Sequence, residues 1–108
     1  MRTDNFDPYT IGECIAAQTI KLAYCIRDHQ PTDPATAGIV RNIAVAAQNA
    51  LVAGGKCLQE GEVEAALWAL GAADGAMSLI VGLMATPDDA FMQEMARPFA
   101  PAESELPQ

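Results

Sequence analysis

The hydrophobic positions of this chain recur every three to four residues, in long stretches that proline and glycine separate. This interval places apolar side chains on one face of an α-helix, whereas half-buried strands alternate apolar and polar residues. No long alternating run of β-branched residues occurs in the chain. The pattern therefore predicts an all-α fold, an up-and-down bundle of three long helices with a short C-terminal helix.

Helix-start and helix-stop residues divide this pattern into four helices. The first helix is predicted from about Thr10, which serves as its N-cap, to about His29. Asp33 followed by Pro34 predicts the start of the second helix, because Asp is a favoured N-cap and Pro fits the first helical position. This second helix is predicted to continue to about Leu58.

Glycines interrupt the later part of the pattern. Gly54 and Gly55 form a weak point where the second helix could end early or bend, and Gly61 predicts a tight turn before the third helix. Thr86 predicts the cap of a short fourth helix, which ends before Pro98. Because the turn at Gly61 is short, the second and third helices must lie antiparallel.

The chain length of 108 residues fits one domain, which we place at residues 1–99. The remaining residues, 100–108, contain little that a core would bury. Their composition predicts a disordered C-terminal tail.

Residues 64–85 are almost entirely apolar or small, and their number is close to what a bilayer span needs. Glutamates precede this stretch, aspartates follow it, and Asp74 lies at its midpoint. An acid at the centre of a span costs about 2.5–3.5 kcal/mol. The stretch therefore predicts a helix of a bundle rather than a membrane span.

Positions around each helix axis predict the side chains that form the core. On the first helix they are Ile11, Ile15, Leu22 and Ile26. On the second they are Val40, Ala44, Ala47, Leu51, Gly54 and Leu58, with a polar edge of Asn42, Asn49 and Lys56 facing solvent. On the third they are Val63, Leu67, Leu70, Met77, Val81 and Met84.

Further apolar side chains fall opposite these core stripes, where three helices alone cannot cover them. The third helix carries Gly71, Gly75, Ser78 and Gly82 along one flank, which would let another backbone approach closely. The short fourth helix is expected to cover part of this surface, and self-association as a homodimer or higher oligomer the rest. The predicted interface residues are Trp68, Ala72, Leu79, Leu83, Ile20 and Ala16.

Three polar residues are predicted to be buried: Asp74 within the third helix's core stripe, Gln18 at the matching place on the first helix, and Tyr24. A buried carboxylate needs a hydrogen-bond or charge partner. Such a group either fixes the register of the helices or binds a ligand in an interior pocket, and we favour the role in helix register.

The formal net charge of −8 argues against nucleic acid as a partner, because binding to phosphates draws on clustered Lys and Arg. The three cysteines fit no zinc motif and indicate reduced thiols in a cytoplasmic, bacterial protein. The N-terminal residues contain no signal peptide. The single histidine, His29, is expected to cap a helix rather than to bind a metal.

The sequence contains no phosphate-binding loop, metal-ligand pair or nucleophile with an adjacent base, so we predict neither an enzyme nor a cofactor. It predicts a small acidic protein-interaction module, such as an adaptor, chaperone or inhibitor, that acts as a homo-oligomer. Two alternatives stay open: a small-molecule-binding or enzymatic bundle with a polar pocket around Asp74, and an acidic inhibitor of a nucleic-acid-binding protein.

Overall fold

The computed structural model describes residues 7–85 and 90–100 of the chain. These residues form an all-α bundle of three long helices and a short C-terminal one, as predicted, and contain no strand. The helices are α1 (Pro8–Asp28), α2 (Pro34–Gln59), α3 (Val63–Ala85) and α4 (Ala90–Ala96), and a 3-10 turn follows at Arg97–Phe99. The predicted cap at Thr86 and the predicted tail after Ala100 lie outside the described residues.

The first two helices begin with the same local signal. Asp7 and Asp33 are their N-caps, and a proline follows each of them at the first helical position. The Asp7 carboxylate accepts a hydrogen bond from the backbone N–H two residues on, which satisfies a donor that the helix itself leaves unpaired. The prediction that α1 begins at Thr10 was wrong because the Asp–Pro pair starts it one turn earlier.

The α2 helix continues through Gly54 and Gly55 without a break and ends at Gln59. Gly54 is buried, and a Cβ added to it would lie 2.9 Å from the Cβ of Ala69 on α3. Glycine is therefore the residue that lets α2 and α3 approach closely. The chain then reverses at Gly61, whose φ of 79° lies in the left-handed region that glycine tolerates.

Buried apolar side chains from all four helices form the core. Most of those predicted on the first two helices are found there: Ile11, Leu22, Val40, Ala44, Ala47 and Leu51 are buried, and Gly54 with them. The other three predicted residues, Ile15, Ile26 and Leu58, are half-buried. Ile43 was not predicted, although it is fully buried and packs in the same cluster as Ile80 of α3.

The α3 helix is rotated relative to the prediction. Its buried residues are Ala66, Ala73, Met77, Ile80 and Leu83, of which only Met77 was predicted. The predicted Val81 is exposed, and the other predicted residues, Val63, Leu67, Leu70 and Met84, are half-buried. The closest helix pair is α2 with α3, and their small residues set which side of α3 faces inward. Leu83, predicted at an interface, is only 2% exposed because it packs in one cluster with Ala96 of α4.

The C-terminal segment closes one end of the bundle against α2. The side-chain amide of Asn42 donates a hydrogen bond of 2.8 Å to the backbone carbonyl of Phe99. Asn42 is therefore half-buried, which corrects the expectation that the whole polar edge of α2 faces solvent. Asn49 and Lys56 on the same edge are exposed as predicted.

Candidate functional site

A groove with a volume of about 510 Å³ runs between the C-terminal half of α1 and the C-terminal half of α3. Polar side chains from both helices stand at its rim, and the buried Met77 forms part of its floor. The residues that line it are Lys21, Tyr24, Cys25, His29, Asp74, Met77, Ser78, Val81 and Gly82.

An ion pair crosses this groove from α1 to α3. The ammonium nitrogen of Lys21 lies 3.8 Å from Oδ1 of Asp74, and the two side chains are 64% and 58% exposed. Exposed pairs of this kind contribute about 0–1 kcal/mol to folding because water and salt screen them. The expectation that Asp74 is buried was wrong, and the rotation of α3 is the reason.

The other two predicted polar residues differ in their surroundings. Tyr24 is exposed rather than buried, and the Arg27 guanidinium carbon lies 4.6 Å from the centre of its ring. Gln18 is half-buried, and its Oε1 atom is buried without a hydrogen-bond partner among the described residues. Tyr24 and Asp74 share the groove, whereas Gln18 does not line it.

Cys25 and His29 lie one helical turn apart at the end of α1. His29 is the C-cap residue, and its Nδ1–H donates a hydrogen bond of 2.8 Å to the carbonyl of Cys25. Burial raises the pKa of the Cys25 thiol, and the negative charge of Asp28 adds to this effect. A raised pKa favours the protonated thiol, which is the less nucleophilic form of the side chain.

The groove does not have the ligand set of a metal centre. Within residues 7–85 and 90–100, no three His, Cys, Asp or Glu side chains converge to hold an ion.

The outward face of α3 forms the second feature of the site. Trp68 is 75% exposed, and Gly71 and Gly75 follow it at spacings that place all three on one side of the helix. A Cβ added to either glycine would meet no atom of residues 7–85 and 90–100 within 4 Å. This face is therefore apolar, shallow and uncovered.

The predicted interface residues divide into three groups in the structure. Trp68, Ala72, Ile20 and Ala16 are exposed, Leu79 is half-buried against the core, and Leu83 belongs to the core itself. Ile20 lies on α1, on the side away from the core.

By length and composition α3 could also cross a membrane, the one helix in the described ranges that meets this test. It has 23 residues, and its most apolar stretch has a mean hydropathy of 1.6 and is 22% buried in the bundle. A single such helix is weak evidence for a span, because core helices of bundles have the same composition.

Comparison with known proteins finds no match for this chain among family models, among curated proteins or among solved structures.

Lys21 was not predicted as the partner of Asp74. The signal was nevertheless present, because Lys21 follows Gln18 by three residues and precedes Tyr24 by three, which places it close to the side of α1 that faces α3. Rotating α3 to its observed orientation brings Asp74 to the same edge.

Proposed function

We propose that this chain is a small acidic helical protein-interaction module that acts as a homo-oligomer. The observation that carries the proposal is Trp68, three-quarters exposed on the uncovered face of α3. Tryptophan is enriched among the residues that dominate binding energy at interfaces, where truncation costs about 2 kcal/mol or more.

The glycines beside Trp68 support the same function. A glycine inside a helix costs about 1 kcal/mol relative to alanine, because it loses more backbone freedom on folding. At Gly54 this cost accompanies a close contact with α3, whereas Gly71 and Gly75 make no comparable contact with the part of the chain that the structure describes. A helix from another subunit could pack closely on this face at both glycines, in the way that α3 packs on α2 at Gly54.

The charge distribution is compatible with a protein partner. Trp68, Gly71 and Gly75 are themselves uncharged, whereas the chain has a formal net charge of −8 and the exposed Glu64 lies one turn before Trp68 on α3. An apolar centre with a charged residue at its edge is the usual arrangement of a protein–protein interface.

The Trp68→Ala variant tests this function by sedimentation at tens of micromolar and by thermal melting. We expect the wild-type chain to sediment as an oligomer, and the variant to dissociate while its helicity is retained. Val52→Ala is the matched control, because Val52 is 67% exposed on α2, away from this face. A wild-type chain that is strictly monomeric under these conditions would contradict self-association.

The groove between α1 and α3 supports a second candidate, a small-molecule-binding bundle. Lys21, Tyr24 and Asp74 converge at its rim over an apolar floor, an arrangement that suits a small amphipathic ligand. Ligand-observed NMR with a fragment library tests it. Fragments that bind the wild type and lose binding in Asp74→Asn support this candidate, and the absence of any such fragment counts against it.

A further inference from the structure

We propose that two copies associate about a two-fold axis parallel to the helices, so that α1 of each packs on α3 of the other. In this arrangement each Lys21 lies against the partner's Asp74. The inference rests on the proposed self-association and adds the face and the orientation of the contact.

The charges on this face are self-complementary. Lys21 supplies the only ammonium group and Asp74 the only carboxylate among the residues that line the α1–α3 groove. Their charges cancel, so the lining of the groove is neutral in a chain with a formal net charge of −8, although the exposed Asp28 lies beside it on α1. A second copy meets less repulsion at this groove than it would at the acidic parts of the surface.

Symmetry then selects the orientation. Lys21 and Asp74 lie at the same height along the bundle, because their charged groups are 3.8 Å apart. The α1 and α3 helices run in the same direction, because each is antiparallel to α2. The start of α1 at Gly12 lies beside Leu58 at the end of α2, and the turn at Gly61 reverses the chain between α2 and α3. A two-fold axis parallel to the helices leaves the height of each residue unchanged and places α1 of one copy opposite α3 of the other. Lys21 then lies opposite the partner's Asp74. A perpendicular axis would instead face Lys21 with Lys21 and Asp74 with Asp74.

The sizes of the side chains fit the same orientation. The α3 side of the face is small at Gly71, Gly75 and Ser78, with the large Trp68 at its N-terminal end, whereas the α1 side carries Lys21 and Tyr24. Packing α1 on the partner's α3 therefore brings large side chains against small ones along the contact. Packing α1 on α1 would oppose large with large.

Association would also strengthen the charge pairs. In the single chain Lys21 and Asp74 are more than half exposed and screened by water. Covering the face removes part of that water, so the same charges attract more strongly and four of them alternate in sign across the interface.

Two charge reversals, Lys21→Asp and Asp74→Lys, test the orientation, each alone and then mixed in equal amounts. The first variant carries two carboxylates at this place and the second two ammonium groups. Alone, each should self-associate at least about tenfold more weakly, because like charges then face each other. The mixture should recover association as a heterodimer, because every contact across the interface is again between opposite charges.

Lys56→Asp provides the control for net charge. It makes the same change in net charge as Lys21→Asp, at an exposed position on α2 outside this groove. We expect its association to be close to that of the wild type. Circular dichroism of every variant checks that the bundle is folded, and the exposure of both side chains predicts that it is.

The outcomes separate the two proposals. A wild type that associates, with variants that associate equally well or a mixture that fails to recover, overturns this orientation and leaves self-association standing. A wild type that is monomeric at tens of micromolar overturns both.

Discussion

Glycine occurs on two sides of α3, and its packing differs between them. On the side that faces α2, Gly54 allows close contact, because a Cβ there would lie 2.9 Å from that of Ala69. On the outward side, no atom of the described residues lies within 4 Å of where a Cβ of Gly71 or Gly75 would be. Glycine therefore allows close helix packing at Gly54, whereas at Gly71 and Gly75 it leaves an unpacked surface.

The largest expected effect is a difference in the free energy of unfolding between variants at two neighbouring residues of α3. Ile80 is fully buried and Val81 is exposed, so truncation should affect only the first strongly. We expect Ile80→Ala to lower the free energy of unfolding by about 2–5 kcal/mol, through lost burial and a residual cavity. Val81→Ala should change it far less. Urea denaturation of both variants measures the difference, and equal losses would mean that α3 is oriented differently.

A smaller effect is expected where α2 meets α3. Gly54→Leu forces a side chain into the space that Ala69 occupies, and overpacking of this kind costs about 1–3 kcal/mol of unfolding free energy. Gly55→Leu is the matched control, because no atom lies within 4 Å of its Cβ position. Chemical denaturation should show destabilisation for Gly54→Leu alone. Tolerance of both changes would contradict the close approach of the helices.

On the outward face of α3, replacing a glycine is expected to stabilise the folded chain rather than destabilise it. Gly75→Leu should raise the unfolding free energy of the single chain by up to about 1 kcal/mol, because leucine is a much better helix former than glycine. The same side chain should block the approach of a second copy. Denaturation at low protein concentration and sedimentation at high concentration measure the two effects separately. A variant that associates as tightly as the wild type would show that this face is not the contact.

The smallest effect concerns the start of α2 and its dependence on pH. The backbone N–H and the hydroxyl of Thr36 donate hydrogen bonds to Asp33 and hold the pKa of its carboxyl below the ordinary value. A lowered folded-state pKa contributes stability above the unfolded pKa, and this stability is lost as the pH falls through the folded pKa. Asp33→Ala should flatten that acid limb in pH-dependent melting, whereas an unchanged limb would exclude this cap as a cause.

The helix boundaries were predictable because their signals are local. Asp33, Pro34 and Gly61 act through their own backbone geometry, and the structure uses each of them as predicted. Asp7 and Pro8 carry the same signal as Asp33 and Pro34, so the early start of α1 could also have been found.

The orientation of α3 could not be predicted in the same way. This helix is apolar almost all round, so hydrophobicity does not distinguish its faces. Its inward side is set by how closely small residues such as Ala66 and Ala73 fit against α2, which is a property of two helices together. The burial of Leu83 and the pairing of Lys21 with Asp74 both follow from that orientation.

The turn at Gly61 has a consequence for the order in which the chain folds. It joins α2 and α3, the two helices that share the most extensive contact, through very few residues. Closing so short a loop loses little chain entropy, and contacts that are near in sequence form quickly. We therefore expect the α2–α3 hairpin to be the nucleus of the folding transition state, onto which α1 docks later.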